Sequence, residues 1–514
     1  MVRLTILSTS DLHGYLYPTD FREQHQSLPF GAFKVKERMN QLAQEVGSAL
    51  IKIDNGDFLQ GSPLSYYVAK EKSTPIMADV MNDMGYDAGV LGNHEFNYGL
   101  SYLKENLARL DYPVLCANIL DETGALLTGH AYHIIEREGV KIAILGLTTS
   151  YIPHWEQPAT IKGLEFLPVV ETAQKYIPEL KKQADIVVVS YHGGFERDLE
   201  TGEPTEMLTG ENEGYELLHH VPGIDVLLTG HQHRELTFET DTCVGTQPGD
   251  KGRFMGCVTL EIEDTTRQVL SRSAELLTPS EQVDETLSQT YLPLLEEVNK
   301  WLDQEIGEVD GTMWIEDPMA VRAKGHPYIE FINQVQMDAT GTDISGTALF
   351  DNNGKGFGAS ITMRDIVTNY IYPNTLAVVR ITGADLKAAL ERSAGYFAIN
   401  HDGTLTVSPA FLEPKIQHFN YDMYAGISYT LDIRQPVGQR VTALTYAGKP
   451  VTDDQILEVA MNQYRAVGGG DYTMFGADKI VKEVTVDMTE LIADFLKKHP
   501  KLTPITEHTF DVIY

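Results

Sequence analysis

The chain has 514 residues, 40 Lys and Arg against 73 Asp and Glu, and a formal net charge of -33. That length asks for two or more domains of roughly 100–250 residues each. The acidic surplus is spread along the chain and excludes a nucleic-acid polymer held by a basic field. Hydrophobic residues at 42% and charged residues at 22% describe a folded globular chain rather than a disordered one. A negative protein that handles a negative small molecule needs local positive charge, and bound metal ions are the usual source.

The chain opens on a β-like run at residues 2–8, whose polar continuation lacks the apolar stretch and small-residue cleavage site of a leader. No segment approaches the ~18–20 consecutive apolar residues of a membrane-spanning helix, so no membrane partner is expected. Cys116, Cys243 and Cys257 are too scattered for a disulfide framework or a zinc knuckle. Cys116 and Cys257 lie in apolar runs and read as buried thiols. These features predict a cytoplasmic protein, or an extracellular one had a leader been trimmed. No obligate protein partner is predicted.

The first half alternates apolar, β-branched runs with amphipathic stretches. The runs are residues 4–7, 49–53, 89–91, 141–145, 186–189 and 225–228; helical patterns cover 32–46, 75–84, 101–110 and 172–183. Strands separated by helices of that length predict an α/β domain over residues 1–278. A Glu-rich helix follows over 279–306, with Leu292, Leu295, Val298 and Leu302 on one face. It reads as a linking helix, which Pro293 would kink or split. Residues 307–514 carry further helices and strands and read as a second α/β domain.

Five of the apolar runs end in polar clusters. They are Asp11-Leu12-His13, Asp54-Asn55-Gly56-Asp57, Gly92-Asn93-His94-Glu95, Ser190-Tyr191-His192-Gly193-Gly194 and Thr229-Gly230-His231-Gln232-His233. Each alone could be an ordinary turn. The carboxyl ends of strands in α/β folds converge on one edge, where ligands sit, so the five together predict a single metal site. Imidazoles with carboxylates suit Zn, Mn, Fe or Co rather than Ca. Seven ligands exceed the four of one tetrahedral ion, so two divalent ions are implied, of the kind that clamp a phosphoryl displacement.

The set D-x-H, G-D, G-N-H-E, H-G-G and G-H-x-H, in this order, resembles the calcineurin-like metallophosphatases. DLHG, GNHEFNYG and TGHQH are similar to its 5′-nucleotidase branch, which carries a separate C-terminal specificity domain. The resemblance implies an N-terminal metallophosphatase β-sandwich flanked by helices and a C-terminal 5′-nucleotidase-type domain. It assigns Asp11, His13 and His233 to one metal, Asp57 to both, and Asn93, His192 and His231 to the second. It makes His94 the group that stabilises the transition-state charge and assists the leaving oxygen. In the 5′-nucleotidases an Asp pairs with that histidine; here Asn97 stands instead. An amide orients an imidazole but does not stabilise imidazolium as a carboxylate does.

YPNTL at 372–376, NYDM at 420–423 and NQYRA at 462–466, together with Asn97, resemble the 2′,3′-cyclic-nucleotide 2′-phosphodiesterase/3′-nucleotidase subgroup. In the family two aromatic rings sandwich the base. Tyr464 matches one; Phe419 and Tyr421 both lie in the loop that supplies the other. Gly469, in the run 468–470, would let backbone approach the ligand. Asn353, Lys355 and Arg364 fall in the family's substrate-contact region, although Arg364 also reads as a helix surface residue. The resemblance implies a nucleotide substrate, in-line attack on phosphorus at a two-metal centre, and a role in nucleotide catabolism. The alternatives are a 5′-nucleotidase, a nucleotide-sugar or dinucleotide pyrophosphate hydrolase, and a nucleotide-binding protein without turnover.

Overall fold

A computed structural model of the protein describes all residues except 24–26, 157, 207, 373, 485 and 508. Pro373, part of the 372–376 motif, therefore lies outside the described residues. The chain forms two compact units, Met1–Val298 and Asn299–Tyr514.

The first unit contains two six-stranded sheets. One runs in the order Val269–Leu277, Met255–Ile262, Val2–Thr9, Leu50–Asp54, Ala88–Val90, Val114–Leu115. The other runs Glu235–Glu239, Val244–Pro248, Val226–Leu228, Ile186–His192, Val140–Thr148, Tyr132–Arg137. The strands that precede the polar clusters are parallel within each sheet. Alternate residues interlock as one core: Leu4, Ile6, Ile51 and Ile53 from the first sheet meet Ile142, Ile144, Val188 and Val226 from the second. The opposite residues of the second sheet, Leu145, Val187 and Leu227, pack on helices Val169–Leu180 and Gly214–His220. This is the expected sandwich with helical flanks, and period-2 burial on both faces is why its strands read as unbroken apolar runs.

Two sequence expectations shift. The strand expected to stop at 189 continues to His192, paired in register with Thr148, so this histidine sits on the sheet and not in a loop. The long helix is Glu285–Leu302, shorter than 279–306. Its start is set by Asp284, whose carboxylate accepts from Leu287 N at 2.8 Å. Pro293 does not split it. The carbonyl that loses its helical donor belongs to Gln289, which is exposed to water.

The second unit is built on a five-stranded sheet in the order Asp422–Ala425, Ser345–Ala348, Ile456–Asn462, Leu376–Thr382, Ile480–Val484. Helices Pro327–Thr340, Gly383–Ala394 and Met488–Lys498 contribute Ile332, Leu386 and Ile492 to its core. Loops 418–422 and 462–471 lie at the ends of two of these strands.

Candidate functional site

The carboxyl ends of the first unit's parallel strands meet. Asp11 and His13 follow Val2–Thr9, Asp57 follows Leu50–Asp54, Asn93 and His94 follow Ala88–Val90, and His231 and His233 follow Val226–Leu228. Backbone bonds tie the first two loops together: Asp11 N donates to Gly56 O at 2.9 Å and His13 N to Asp57 O at 2.7 Å. Glu95, fully buried, accepts from the backbone N–H of Asp57, Phe58, Leu59 and Gly92 at 2.8, 2.7, 3.2 and 2.5 Å. A Cβ on Gly92 would fall 2.1 Å from Asp57 Oδ1, so this close approach requires glycine.

The seven predicted metal ligands come together. Ligand atoms of Asp11, His13 and His233 lie within 4.8 Å of one another, as do those of Asp11, Asp57 and His192. Asn93 Oδ1 lies 3.2 Å from His192 Nε2 and 2.9 Å from His231 Nδ1. Asp11 belongs to both three-residue groups, whereas the resemblance makes Asp57 the shared carboxylate. Asp57 Oδ2 lies 3.2 Å from His192 Nε2, yet among the described residues it has no hydrogen-bond partner despite its burial.

A buried carboxylate oxygen whose close contact is a histidine nitrogen fits a metal ligand, and the histidines fit as well. His13 Nδ1 faces Gln60 O at 2.9 Å, His192 Nδ1 faces Asn55 O at 2.6 Å, and His231 Nε2 faces Glu211 Oε1 at 2.9 Å. Each acceptor takes a ring N–H and turns the second nitrogen inward, the arrangement that orients metal-binding imidazoles. His13 Nε2 and His233 Nε2 converge to 3.0 Å. Two imidazole nitrogens that face each other so closely suit a cation between them.

Backbone strain marks the same residues. Among the described residues twelve non-glycine residues have positive φ, and five are Asp11, His13, Asp57, His231 and His233, at 51–66°. Such conformations cost on the order of 1–2 kcal/mol each and gather at functional sites.

The electrostatics are those of carboxylates and imidazoles packed out of water against one another. Burial alone would raise Asp11 and Asp57, but His192, with His233 at Asp11 and His94 at Asp57, holds both below the usual carboxylate range. Burial and His233 push His13 down to about 4 against the pull of Asp57. Burial also acts downward on His192, yet Asp57 and Asp11 raise it to about 10. Burial and Asp57 push Glu95 up to about 7.

His94 stands at the half-buried edge of the cluster. Its backbone N donates to Asp57 Oδ1 at 2.8 Å, and its Nδ1 lies 2.6 Å from Asn97 Oδ1.

In the second unit, Phe419 and Tyr464 are both half-buried, with ring centroids 6.4 Å apart at 69°. Tyr421 is fully buried, donates its hydroxyl to Arg322 O at 2.8 Å, and packs against Tyr396 and Phe397. It is a core residue with its ring enclosed, and of the two it is Phe419 whose ring lies beside Tyr464. Gly469 backs the Tyr464 ring: a Cβ there would lie 2.6 Å from it. Asn353 and Lys355 are exposed. Arg364 is not a surface group: it is buried, paired with Asp303 at 2.7 Å and donating to Asn299 at 3.0 Å, which gives it a structural role.

Residues 4–235 match the calcineurin-like phosphoesterase family and residues 305–477 match the 5′-nucleotidase C-terminal domain. A crystal structure described as a putative 5′-nucleotidase from Staphylococcus aureus in complex with α-ketoglutarate is 42% identical over all of both chains, with a TM-score of 0.94. The chain belongs to the two-domain 5′-nucleotidase family of calcineurin-like metallophosphatases. It is a hydrolase acting on phosphoester bonds. A 2′,3′-cyclic-nucleotide 2′-phosphodiesterase/3′-nucleotidase from Haemophilus influenzae is 28% identical over 96% of this chain and 84% of that protein. The trifunctional nucleotide phosphoesterase YfkN of Bacillus subtilis is 26% identical over 99% of this chain, which spans only 39% of that protein's length.

Glu95, Glu211, Glu156 and Arg465 were not singled out from the sequence. Glu95 follows the GNH triplet directly, and its place there was the available signal. Arg465 is inside NQYRA, where nothing in the sequence marks it as buried. The structure buries it, paired with Asp422 at 2.7 Å, donating to Phe419 O at 3.0 Å and lying 3.8 Å from the Tyr472 ring, so one guanidinium holds both aromatic loops.

The raised His192 is a cation at neutral pH when no metal is bound, and a ligand must be neutral. Metal binding at about pH 7.5 is therefore expected to release about one proton from this residue, with affinity rising as pH climbs toward its pKa. Calorimetric titrations in buffers of different ionisation enthalpy check this. Asp57→Asn is expected to lose one of two bound metal equivalents and at least ~10²-fold in kcat, read by elemental analysis and steady-state kinetics.

Proposed function

We propose that the chain hydrolyses 2′,3′-cyclic nucleotides to 3′-nucleotides and then releases nucleoside and phosphate. The observation that carries the nucleotide reading is the half-buried Phe419–Tyr464 ring pair, in a chain whose other unit gathers a two-metal ligand set. An aromatic face stacks on a base for roughly 1–3 kcal/mol with little choice of base. The cyclic and 3′ assignment is supported by the Haemophilus relative, by the NYDM and NQYRA loops, and by Asn97.

Two divalent ions, when held by Asp11, His13, Asp57, Asn93, His192, His231 and His233, supply Lewis-acid charge and an activated water for in-line attack. The chain's own residues set the rest. Asp11 and Asp57 stay ionised and offset the cations. His94, with its Nδ1–H committed to Asn97, keeps Nε2 as the atom that takes and returns a proton near the reacting phosphate. Gly469 and the buried Arg465 keep the Tyr464 ring in place.

A second reading, a 5′-nucleotidase, is favoured by the Staphylococcus structure at 42% identity. Turnover of 2′,3′-cyclic AMP, 3′-AMP and 5′-AMP by the metal-loaded protein decides between the two. Preference for the cyclic and 3′ substrates is expected; preference for 5′-AMP overturns the subgroup and leaves the hydrolase intact. Phe419→Ala is expected to raise KM for nucleotides by roughly ten-fold while sparing a small aryl phosphate. Tyr421→Ala is expected instead to destabilise the unit by roughly 3–5 kcal/mol, read by denaturant unfolding.

A further inference from the structure

The Asn97 side chain that faces His94 is itself held. Its Nδ2 donates to Glu156 Oε1, on the far side from the imidazole. A carboxamide presents an acceptor at one end and a donor at the other, so it can meet an imidazole in two opposite ways. With Oδ1 toward His94, it accepts from Nδ1–H and leaves the Nε2 lone pair open. Flipped, it donates to Nδ1 and forces the proton onto Nε2, which exchanges the roles of the two nitrogens. A carboxylate at position 97 would have no such ambiguity, because it only accepts. Burial pushes the Glu156 carboxyl up to about 7 against the pull of this contact, so above that pH it is a carboxylate that only accepts, and it takes the Nδ2–H. That contact fixes which end of Asn97 meets His94.

The position of Glu156 is built into the site and not incidental to it. Its backbone N donates to Ile152 O at 3.0 Å, which closes the turn that carries it. The preceding residue of the same turn, Trp155, stacks on His231 with centroids 5.3 Å apart at 29°. Adjacent residues of one short segment thus brace two separate members of the metal cluster's surroundings.

We propose that Glu156 is a positioning residue that locks the Asn97 amide, and through it the Nδ1–H tautomer of His94, so that the Asn97–Glu156 pair takes the place of a single carboxylate at position 97. The proposal rests on the phosphoester hydrolase activity and on no particular nucleotide. It is tested on the metal-loaded full chain with Glu156→Gln, Glu156→Ala, Asn97→Asp and the double variant Asn97→Asp/Glu156→Ala.

Glu156→Gln offers Nδ2–H an oxygen but also brings a donor, so it keeps the lock only in part and is expected to fall between the parent and Glu156→Ala. Glu156→Ala is expected to lower kcat roughly ten-fold or more, with KM and metal content unchanged. Asn97→Asp sets two carboxylates against each other and is expected to fall below the parent as well. The double variant removes that repulsion and needs no lock, so it is expected to exceed both single variants. The ¹⁵N resonances of His94 give a readout independent of turnover: Nδ1 protonated in the parent, a mixture of tautomers in Glu156→Ala. The proposal is overturned by a Glu156→Ala variant with parental kcat, by one that loses metal, by a double variant no better than its parts, or by an unchanged His94 spectrum. A parent protein without turnover on any phosphoester would sink the hydrolase reading instead, and the His94 spectrum would still decide the lock.

Discussion

Four backbone N–H groups from two loops converge on the buried carboxylate of Glu95. A carboxylate taken out of water is costly unless its oxygens are fully hydrogen-bonded, and bonds to a charged acceptor are about twice as strong as neutral ones. This one contact brings the loop after Leu50–Asp54 against the loop after Ala88–Val90. It sets Asp57 beside Gly92 and carries the backbone through a left-handed residue that would otherwise not persist. Asp57 in turn receives the His94 N–H, so the candidate ligand cluster and the His94 backbone both trace back to Glu95.

Much of this was legible in the sequence. The five clusters at strand ends were readable because each followed an apolar, β-branched run, and chain topology alone brings such ends to one edge. The sandwich was legible for the same reason. What escaped were residues whose role depends on burial. Tyr421 and Phe419 are two positions apart, and only packing shows that one is core and the other faces the loop. Arg364 looks like a surface cation, and nothing marks Arg465 as buried, until their guanidinium groups are seen paired with Asp303 and Asp422. Glu156 and Glu211 are far in sequence from the histidines and amide they serve, so no spacing rule reaches them.

The net charge of -33 is also read differently at the level of single residues. Acidic residues do two separate jobs in the first unit. Asp11 and Asp57 face the imidazoles as candidate ligands, and Glu95, Glu156 and Glu211 stand one layer out against backbone, amide and imidazole. In the second unit the buried cations Arg322 and Arg465 turn inward to loop carbonyls and amide oxygens. Their positive charge organises the loops.

The left-handed backbone at Asp11, His13, Asp57, His231 and His233 changes what a mutational scan of this site can mean. Asp, Asn and His tolerate that conformation better than most side chains, while alanine meets the full steric penalty. An alanine replacement there removes a ligand and also frees the chain to relax out of its turn, so its effect mixes chemistry with loop geometry. Asparagine at 11 or 57 keeps the turn while it removes the charge and one carboxylate oxygen. In this centre the amide is the clean probe and alanine is the ambiguous one.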